Sequence, residues 1–411
     1  MLRGGASIAV AMGVMNVTTY GFTMLAARIL GPRSYGALAG LMATLLVISV
    51  AQLGLQATAA RRISADPEHV DQIESIILWV TYRSALALGL VLLVLSPLIN
   101  VILRLDSLPT AALVAVTAVP MTIMGGQAGV LQGERRWAPL SLMYVAAGLP
   151  RLLIGVALIL WSPTEASATS AVAIGAFAPV AVGLWALRGT RPAGRVDDRH
   201  APRLVIRETI QNSQALFAFF ALSNVDVIVA RNVLDNHDAG LYAGGLILVK
   251  AVLFLPQFVV VVAFPSMSTA TERRQALTKS LLLVVVLGAV STAGAWLLPD
   301  LALIFVGGQG YSDISGRLWL FAVIGTLLSL LQLLVYAVLA RRGQKSVYLV
   351  WVALVVLVGV GFTVSSKEAL LALVLAVDFT LCVVLLAISL FFVDEPAPQK
   401  LEPDRITSPD Q

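Results

Sequence analysis

The 411-residue chain is 58% hydrophobic and only 12% charged, with a mean hydropathy of +0.90. Soluble domains carry about 25% charged residues, so a chain this apolar could not cover its surface in water and belongs in a lipid bilayer. The net charge of +5 does not indicate a nucleic-acid-binding protein, because the basic residues fall in short loops rather than on one continuous face. A single cysteine, Cys382, excludes an intramolecular disulfide, and with three scattered histidines no metal or cofactor is expected.

Apolar runs of about 20 residues, the length that a membrane-spanning helix needs, occur twelve times. In chain order they cover residues 5–27, 37–60, 75–102, 110–131, 139–160, 169–187, 210–229, 239–263, 280–305, 318–340, 347–364 and 370–393. A polar segment with six arginines, residues 188–208, separates the sixth run from the seventh, and a polar tail, residues 394–411, ends the chain. We therefore predict an all-α polytopic membrane protein with twelve transmembrane helices and a disordered tail.

The loop charges predict the orientation of these spans. Of the 28 lysines and arginines, 19 fall in the termini and alternate loops, six in the other loops and three within spans. Because Lys and Arg concentrate on the cytoplasmic side, both termini and the linker at 188–208 are expected to be cytoplasmic. The excess of arginine over lysine points to a bacterial protein, hence to the bacterial cytoplasmic membrane.

A turn marked by glycine and proline follows the first predicted span, and a similar turn follows the seventh. Ala27, Arg28, Gly36, Ala39 and Gly40 of the first turn correspond to Ala230, Arg231, Gly240, Ala243 and Gly244 of the second. This internal repeat predicts two related six-helix lobes, residues 1–187 and 209–393, which insert in the same orientation because each has an even number of spans.

Several of these residues resemble one family. Residues 27–32 followed by Tyr35-Gly36, and in the second half residues 224–226, 240–242, 255–256, 264–268 and 305–311, are similar to Wzx-type polysaccharide flippases of the multidrug/oligosaccharidyl-lipid/polysaccharide exporter superfamily. The resemblance implies two pseudo-symmetric lobes around a central cavity. It also implies alternating-access export of a polyprenyl-diphosphate-linked oligosaccharide for cell-surface polysaccharide biosynthesis. Expected partners are that glycan, membrane lipids and a glycan polymerase or other export machinery; the protein itself is expected to be a monomer.

Charges inside the predicted spans mark candidate binding residues, because each is costly in the bilayer unless it faces a cavity or a partner. Arg151 and Lys250 lie near mid-depth, where a guanidinium or ammonium group facing a cavity can bind a phosphate. Arg83 lies nearer the inner face and either reaches the cavity or extends to the interface. Asp226 and Asp378 either bind a coupling proton or cation, or pair with cations: Asp226 with Arg231, and Asp378 with Arg151 or Lys250.

Polar residues of the first and seventh spans, Asn16, Tyr20, Asn212 and Gln214, are predicted to line the cavity. Interhelical hydrogen bonding is the alternative for them. The repeat-related Arg28 and Arg231 are placed at the outer rim, where they either guide a departing headgroup or anchor the helices at the lipid interface.

The sequence is compatible with three candidate functions of unequal merit. A flippase for a lipid-linked oligosaccharide agrees best with the excess of cations over acids within the spans. A multidrug or cation antiporter of the related branch is the alternative, and would need an acidic, aromatic cavity. A membrane enzyme such as a polymerase or ligase is rejected, because the predicted outer loops are too short to hold a catalytic site.

Overall fold

The computed structural model describes residues 2–189, 201–263, 270–340 and 344–391, and every regular element within them is helical. The helices are α1 (Leu2–Ala65), α2 (Val70–Val94), α3 (Ser96–Ile102), α4 (Leu108–Gly133), α5 (Trp137–Trp161), α6 (Glu165–Gly175), α7 (Phe177–Ala186), α8 (Pro202–Val233), α9 (Asn236–Ala263), α10 (Ala270–Leu297), α11 (Pro299–Val306), α12 (Leu318–Ala340), α13 (Gln344–Gly361) and α14 (Lys367–Phe391). Short 3₁₀ helices, Pro67–His69 and Gln309–Arg317, precede α2 and α12. The polar tail, most of the linker and the motif at 264–268 lie outside the described residues.

Within the described ranges, nine helices are long and apolar enough to cross a membrane. One of the nine is the segment Ser7–Ala65, whose 59 residues are counted as a single helix. At 1.5 Å per residue this segment would be about 90 Å long if straight, roughly three times the thickness of the hydrocarbon core. It is not straight. The chain is an all-helical, multi-pass membrane protein.

The break in α1 is at Gly31, within the turn that the repeat predicts. Gly31 has φ 69° and ψ 173°, outside the helical region, and Pro32 follows it. A residue with a side chain rarely adopts this positive φ, and proline removes a helical backbone donor, so these two residues interrupt the helix. The two arms of α1, residues 2–30 and 32–65, therefore run as separate helices. We call the end of the molecule at this break the bend end.

The arms of α1 lie at the centre of the packing. They contact α4 and α5 from the first half of the chain and α8 and α9 from the second half. Helix α4 approaches closely because Gly125 and Gly129 leave no room for a Cβ beside the backbone of Gln52 and Gln56. Close approach through small residues is a general way to pack membrane helices. In the second half, α12 packs against α9, α10 and α14, and α13 packs against α8.

The two repeat-related turns meet at the bend end. Gly36 and Gly240 are packed so closely that a Cβ on Gly36 would lie 3.0 Å from the Cα of Gly240. Near them, the hydroxyl of Tyr311 donates to the carbonyl of Ala27 at 3.2 Å, and Tyr35 and Tyr311 are in edge-to-face contact with their ring centroids 6.4 Å apart. The bend end is therefore closed by contacts between the first and second halves of the chain.

Helix α9, which contains Gly240, begins at a capped end. The Asp235 carboxylate accepts from the backbone N–H groups of Asp238 at 2.9 Å and His237 at 2.8 Å. These hydrogen bonds, that of Asp238 first, hold the pKa of the Asp235 carboxyl below its usual range.

At the opposite end, Glu208 of α8 pairs with two arginines of α1. Arg62 donates to its carboxylate at 2.6 and 2.8 Å, and Arg61 contacts the other oxygen. Beside this ion pair, the hydroxyl of Thr209, the residue after Glu208, donates at 3.2 Å to that of Thr58, which lies one helical turn before Arg62. The second arm of α1 and α8 are therefore in contact near this end as well.

Candidate central binding site

Two adjoining cavities lie between the halves of the chain, and Arg151 and Lys250 line both of them. The larger, of about 350 Å³, is bounded by α1, α4, α5, α8, α9 and α12, and by residues around the junction of α6 and α7. The smaller, of about 140 Å³, extends toward the bend end and is lined by Tyr20, Tyr35 and Ala39 among others. The predicted mid-depth cations therefore share one site, although they come from different halves of the chain.

Arg151, on α5, lies in hydrophobic surroundings. Its guanidinium carbon is 5.2 Å from the centre of the Phe22 ring, and one Nη is 3.1 Å from the sulfur of Met42. The Nε is buried and has no hydrogen-bond partner among the described residues. No carboxylate of those residues lies within 4.0 Å of the guanidinium. The predicted alternative, an ion pair with Asp378, is not present in this part of the chain.

The backbone positions Arg151 by close packing. Gly175 of α6 is so near that a Cβ there would lie 2.9 Å from the Cα of Arg151. Gly155, one turn further along α5, leaves space for the Phe22 ring on which the guanidinium rests. A cation over an aromatic face is stabilised by the ring's quadrupole, but this contact uses none of the N–H donors. The guanidinium is thus fixed in place while keeping donors for a ligand.

Lys250, on α9, has polar neighbours. Its ammonium donates to the side-chain oxygen of Asn224 at 2.7 Å, and Asn224 in turn donates to the carbonyl of Phe220 at 2.8 Å. The charge of Lys250 also interacts with that of Asp226. Lys250 is therefore partly neutralised from its own half of the chain, in contrast to Arg151.

Behind Lys250 lies a buried group formed by Asp226, Tyr242 and Asp378. The Tyr242 hydroxyl donates to one oxygen of Asp226 at 2.9 Å, and the backbone N–H of Val227 donates to the other at 2.9 Å. Asp378, only 2% exposed, is near enough for its charge to interact with both Asp226 and Tyr242. Two acids this close in a buried place favour sharing a proton or binding a cation.

Amide side chains line the larger cavity from four directions. Asn16 and Gln52 lie on the two arms of α1, Asn224 on α8 and Gln332 on α12. Asn16 was predicted here, whereas Gln52 and Gln332 were missed. Each interrupts an apolar run, and this polarity inside a span was the available signal. Amides offer both donors and acceptors, which suits ligands rich in hydroxyl groups.

Other predicted lining residues lie elsewhere. Arg83 is exposed on α2 with its guanidinium 4.1 Å from the centre of the Trp79 ring, and lines neither cavity. Gln214 lines a separate groove of about 460 Å³ between α1, α2, α8 and α13. Tyr20 lines the smaller cavity and donates to the carbonyl of Phe305 at 3.1 Å. The side chain of Asn212 lies outside the described residues.

The two repeat-related arginines have different surroundings. Arg28 is exposed, whereas Arg231 is only 3% exposed. Arg231 donates to the carbonyls of Leu103 and Arg104 in the loop between α3 and α4, at 2.6–2.9 Å. The predicted alternative pairing of Arg231 with Asp226 does not occur within the described residues.

The lining of the larger cavity suits an anionic ligand that carries hydroxyl groups. Two cations and four amides surround a cavity large enough for part of a polar headgroup, and apolar side chains provide most of the remaining lining. Among the described residues, no three His, Cys, Asp or Glu side chains are grouped as a metal site would need.

Solved structures with the same fold are membrane transporters. An inward-facing multidrug resistance MATE family transporter of the MOP superfamily aligns with a TM-score of 0.68 at 13% identity, covering 90% of this chain and 92% of that one. An outward-facing structure described in the same terms gives 0.62 at 15% identity, with 93% of each chain covered. A MOP superfamily transporter from Pyrococcus furiosus Vc1 gives 0.61 at 14% identity, covering 94% and 96%. The fold is therefore the one seen in these structures of MOP-superfamily transporters.

A match between the sequence and a family model identifies the family of this chain. Residues 1–271 match the family model described as "Polysaccharide biosynthesis protein". The chain belongs to this polysaccharide biosynthesis family, and the predicted resemblance to Wzx-type members of the MOP superfamily is confirmed. No curated protein matches the sequence.

Proposed function

We propose that this protein exports a polyprenyl-diphosphate-linked oligosaccharide across the bacterial cytoplasmic membrane. The observation that carries the proposal is Arg151, a cation without a carboxylate partner among the described residues, facing a cavity that it shares with Lys250. A diphosphate would supply the missing negative charge and bind the guanidinium through paired hydrogen bonds. Catalysis is not required, because the substrate changes sides of the membrane without changing covalently.

The rest of the cavity supports a glycan headgroup. Asn16, Gln52, Asn224 and Gln332 line the larger cavity, and amides are groups that can exchange hydrogen bonds with sugar hydroxyls. Membership of a polysaccharide biosynthesis family agrees with this chemistry. The polyprenyl chain would remain among the membrane lipids, while a polymerase or other export machinery would receive the glycan from a monomeric transporter.

The proposed mechanism is alternating access by two six-helix lobes. Nine helices of the described ranges qualify as spans, and we propose that the second arm of α1, α9 and α13 complete a set of twelve. The contact between Gly36 and Gly240 supports a symmetric relation, because a twofold axis brings equivalent residues together. With both termini cytoplasmic, the bend end faces outward, and its closure agrees with the higher TM-score to the inward-facing structure.

The buried acids provide the proposed coupling. Asp226 and Asp378 lie behind Lys250 and would bind a proton or a cation as the lobes move. Because Lys250 is tied to Asn224 and interacts with Asp226, a change of charge on the acids alters how strongly the ammonium attracts an anion. This arrangement links an ion gradient to headgroup release.

A multidrug or cation antiporter is the second candidate. The specific observation in its favour is the acidic pair Asp226 and Asp378, together with a fold shared with structures titled as multidrug resistance transporters. Arg151 opposes it, because an unpaired guanidinium repels an organic cation. The Pyrococcus furiosus transporter is described as having a binding pocket of reverse polarity that suggests a different function, so pocket charge is known to differ within this superfamily.

Binding to the purified protein in nanodiscs tests the proposal. A short-chain prenyl diphosphate carrying a disaccharide should bind, and ethidium, an organic cation, should not. The double variant Arg151→Ala with Lys250→Ala should lose the anionic ligand, while Arg83→Ala, which removes a cation outside the cavity, should retain it. Binding of ethidium instead, or equal diphosphate binding by the double variant, would show that the proposed function is wrong.

A further inference from the structure

Two arginines at the bend end bind the ends of each other's helices. Arg231, two residues before α8 ends, donates to the carbonyls of Leu103 and Arg104, just beyond α3. Arg104 donates in return to the carbonyls of Asn232 at 2.6 Å and Leu234 at 3.4 Å, at the end of α8. We call this set of contacts the reciprocal cap.

The reciprocal cap satisfies groups that helices leave unpaired. The last carbonyls of a helix have no partner within it and carry a partial negative charge, so cations are favourable there. Asn232 adds a third link by donating to the carbonyl of Ile102 at 2.8 Å. Arg104 has φ 47°, the left-handed conformation in which a chain commonly leaves a helix. Each guanidinium thus completes a helix end in the other half of the chain.

The location of these contacts connects them to access. The α3–α4 loop belongs to the first half of the chain and the α8–α9 turn to the second, and α9 starts with the segment that packs Gly240 against Gly36. We propose that the reciprocal cap is a latch that holds the bend end of the cavity shut and releases as a unit when the two halves part. This inference rests on the alternating access of the proposed function.

The chemistry suits a reversible contact. A buried guanidinium is stable only while its N–H groups are paired, so Arg231 stabilises the closed arrangement as long as the carbonyls are in place. When the halves separate, water can solvate the guanidinium groups and the carbonyls alike. The exposed Arg28, the repeat counterpart of Arg231, makes no such contact with the part of the chain that the structure describes, and it provides a natural control.

Labelling of a cysteine in the smaller cavity tests the latch without any substrate. In a Cys382→Ala background, Ala39→Cys places a thiol in that cavity beneath the bend end. A membrane-impermeant maleimide applied from the bend side should label it slowly in the parent and severalfold faster after Arg231→Ala. Arg28→Ala should leave the rate unchanged. An unchanged rate in a well-expressed Arg231→Ala protein would overturn the proposal.

A cross-link provides a second test that does not depend on the Arg231→Ala variant. Ile102→Cys with Asn232→Cys, joined by a short bis-maleimide before labelling, should hold the latch closed and suppress both the bend-side labelling of Ala39→Cys and transport. Equal labelling and transport with and without the cross-link would overturn the proposal even if Arg231→Ala fails to fold. The labelling assay contains no glycan. It can therefore support the latch even if the proposed substrate is wrong, and it can overturn the latch even if the proposed substrate is right.

Discussion

The two cations of the central cavity differ in what holds them. Arg151 rests against Phe22 and Met42 and has no acidic neighbour within 4.0 Å among the described residues. Lys250 is bonded to Asn224 and interacts electrically with Asp226. The first half of the chain therefore contributes a cation whose charge no carboxylate of the described residues balances. The second half contributes one whose charge depends on a titratable group behind it.

We propose that this difference separates recognition from coupling. A guanidinium remains charged at every physiological pH, so Arg151 can bind a phosphate throughout a transport cycle. Lys250 is one member of a connected set that includes two carboxyls and Tyr242, and its attraction for an anion changes with the state of that set. An alternating-access transporter needs both properties: constant recognition, and an affinity that differs between its states.

The largest effect is expected from Arg151→Ala. Loss of charge-assisted hydrogen bonds to the headgroup should weaken binding of a prenyl diphosphate about 10- to 100-fold. Titration of the ligand against protein in nanodiscs measures it. Arg83→Ala, which removes an exposed arginine resting on Trp79, is the matched control and should stay within about twofold. A similar loss in both variants would mean that Arg151 has no special role.

Lys250→Gln should have a smaller effect, about 10-fold on the same titration, because Asn224 already satisfies part of the ammonium's bonding capacity. The exposed Lys279 supplies the control variant Lys279→Gln, which should bind like the parent. If Lys250→Gln instead exceeds Arg151→Ala in its effect, the contrast between the two cations is reversed, and recognition belongs to the second half.

Asp226→Asn and Asp378→Asn should separate coupling from binding. Neither carboxyl lines the two cavities, and each variant removes negative charge from the group behind Lys250, so diphosphate should bind at equilibrium at least as tightly as it does to the parent. Transport into proteoliposomes should lose its dependence on a proton or sodium gradient in both variants. Retained gradient dependence in both would assign these acids a purely structural role.

The sequence allowed the break at Gly31, the repeat-related turns and the mid-depth cations to be predicted, because each depends on local composition. It could not supply the environment of the cations. That Arg151 rests on Phe22 while Asp378 lies near Asp226 depends on how the helices are rotated about their axes, and an apolar run contains little information on rotation. Because the rotation of α8 could not be predicted, Gln214 was expected in the cavity, whereas it lines the separate groove between α1, α2, α8 and α13.

The internal repeat also could not predict the different surroundings of Arg28 and Arg231. Their matching motifs predict equivalent positions at a turn, but only Arg231 meets a loop that contributes free carbonyls. That loop follows α3, far from either motif in sequence. A symmetric motif therefore does not imply symmetric contacts, and the asymmetry lies in the partner rather than in the arginine.

The smallest loss of affinity is expected from the amide variants, which test contacts with the sugar rather than with the diphosphate. Gln332→Leu and Gln52→Leu each remove neutral hydrogen bonds, which are worth about 0.5–1.5 kcal/mol, so glycan-linked diphosphate should bind about two- to tenfold more weakly. The same variants should bind a bare prenyl diphosphate as the parent does, because the two cations are untouched. Titrations of each variant with both ligands provide the measurement and its internal control. An equal loss with both ligands would mean that the amides support the cations instead of contacting the sugar.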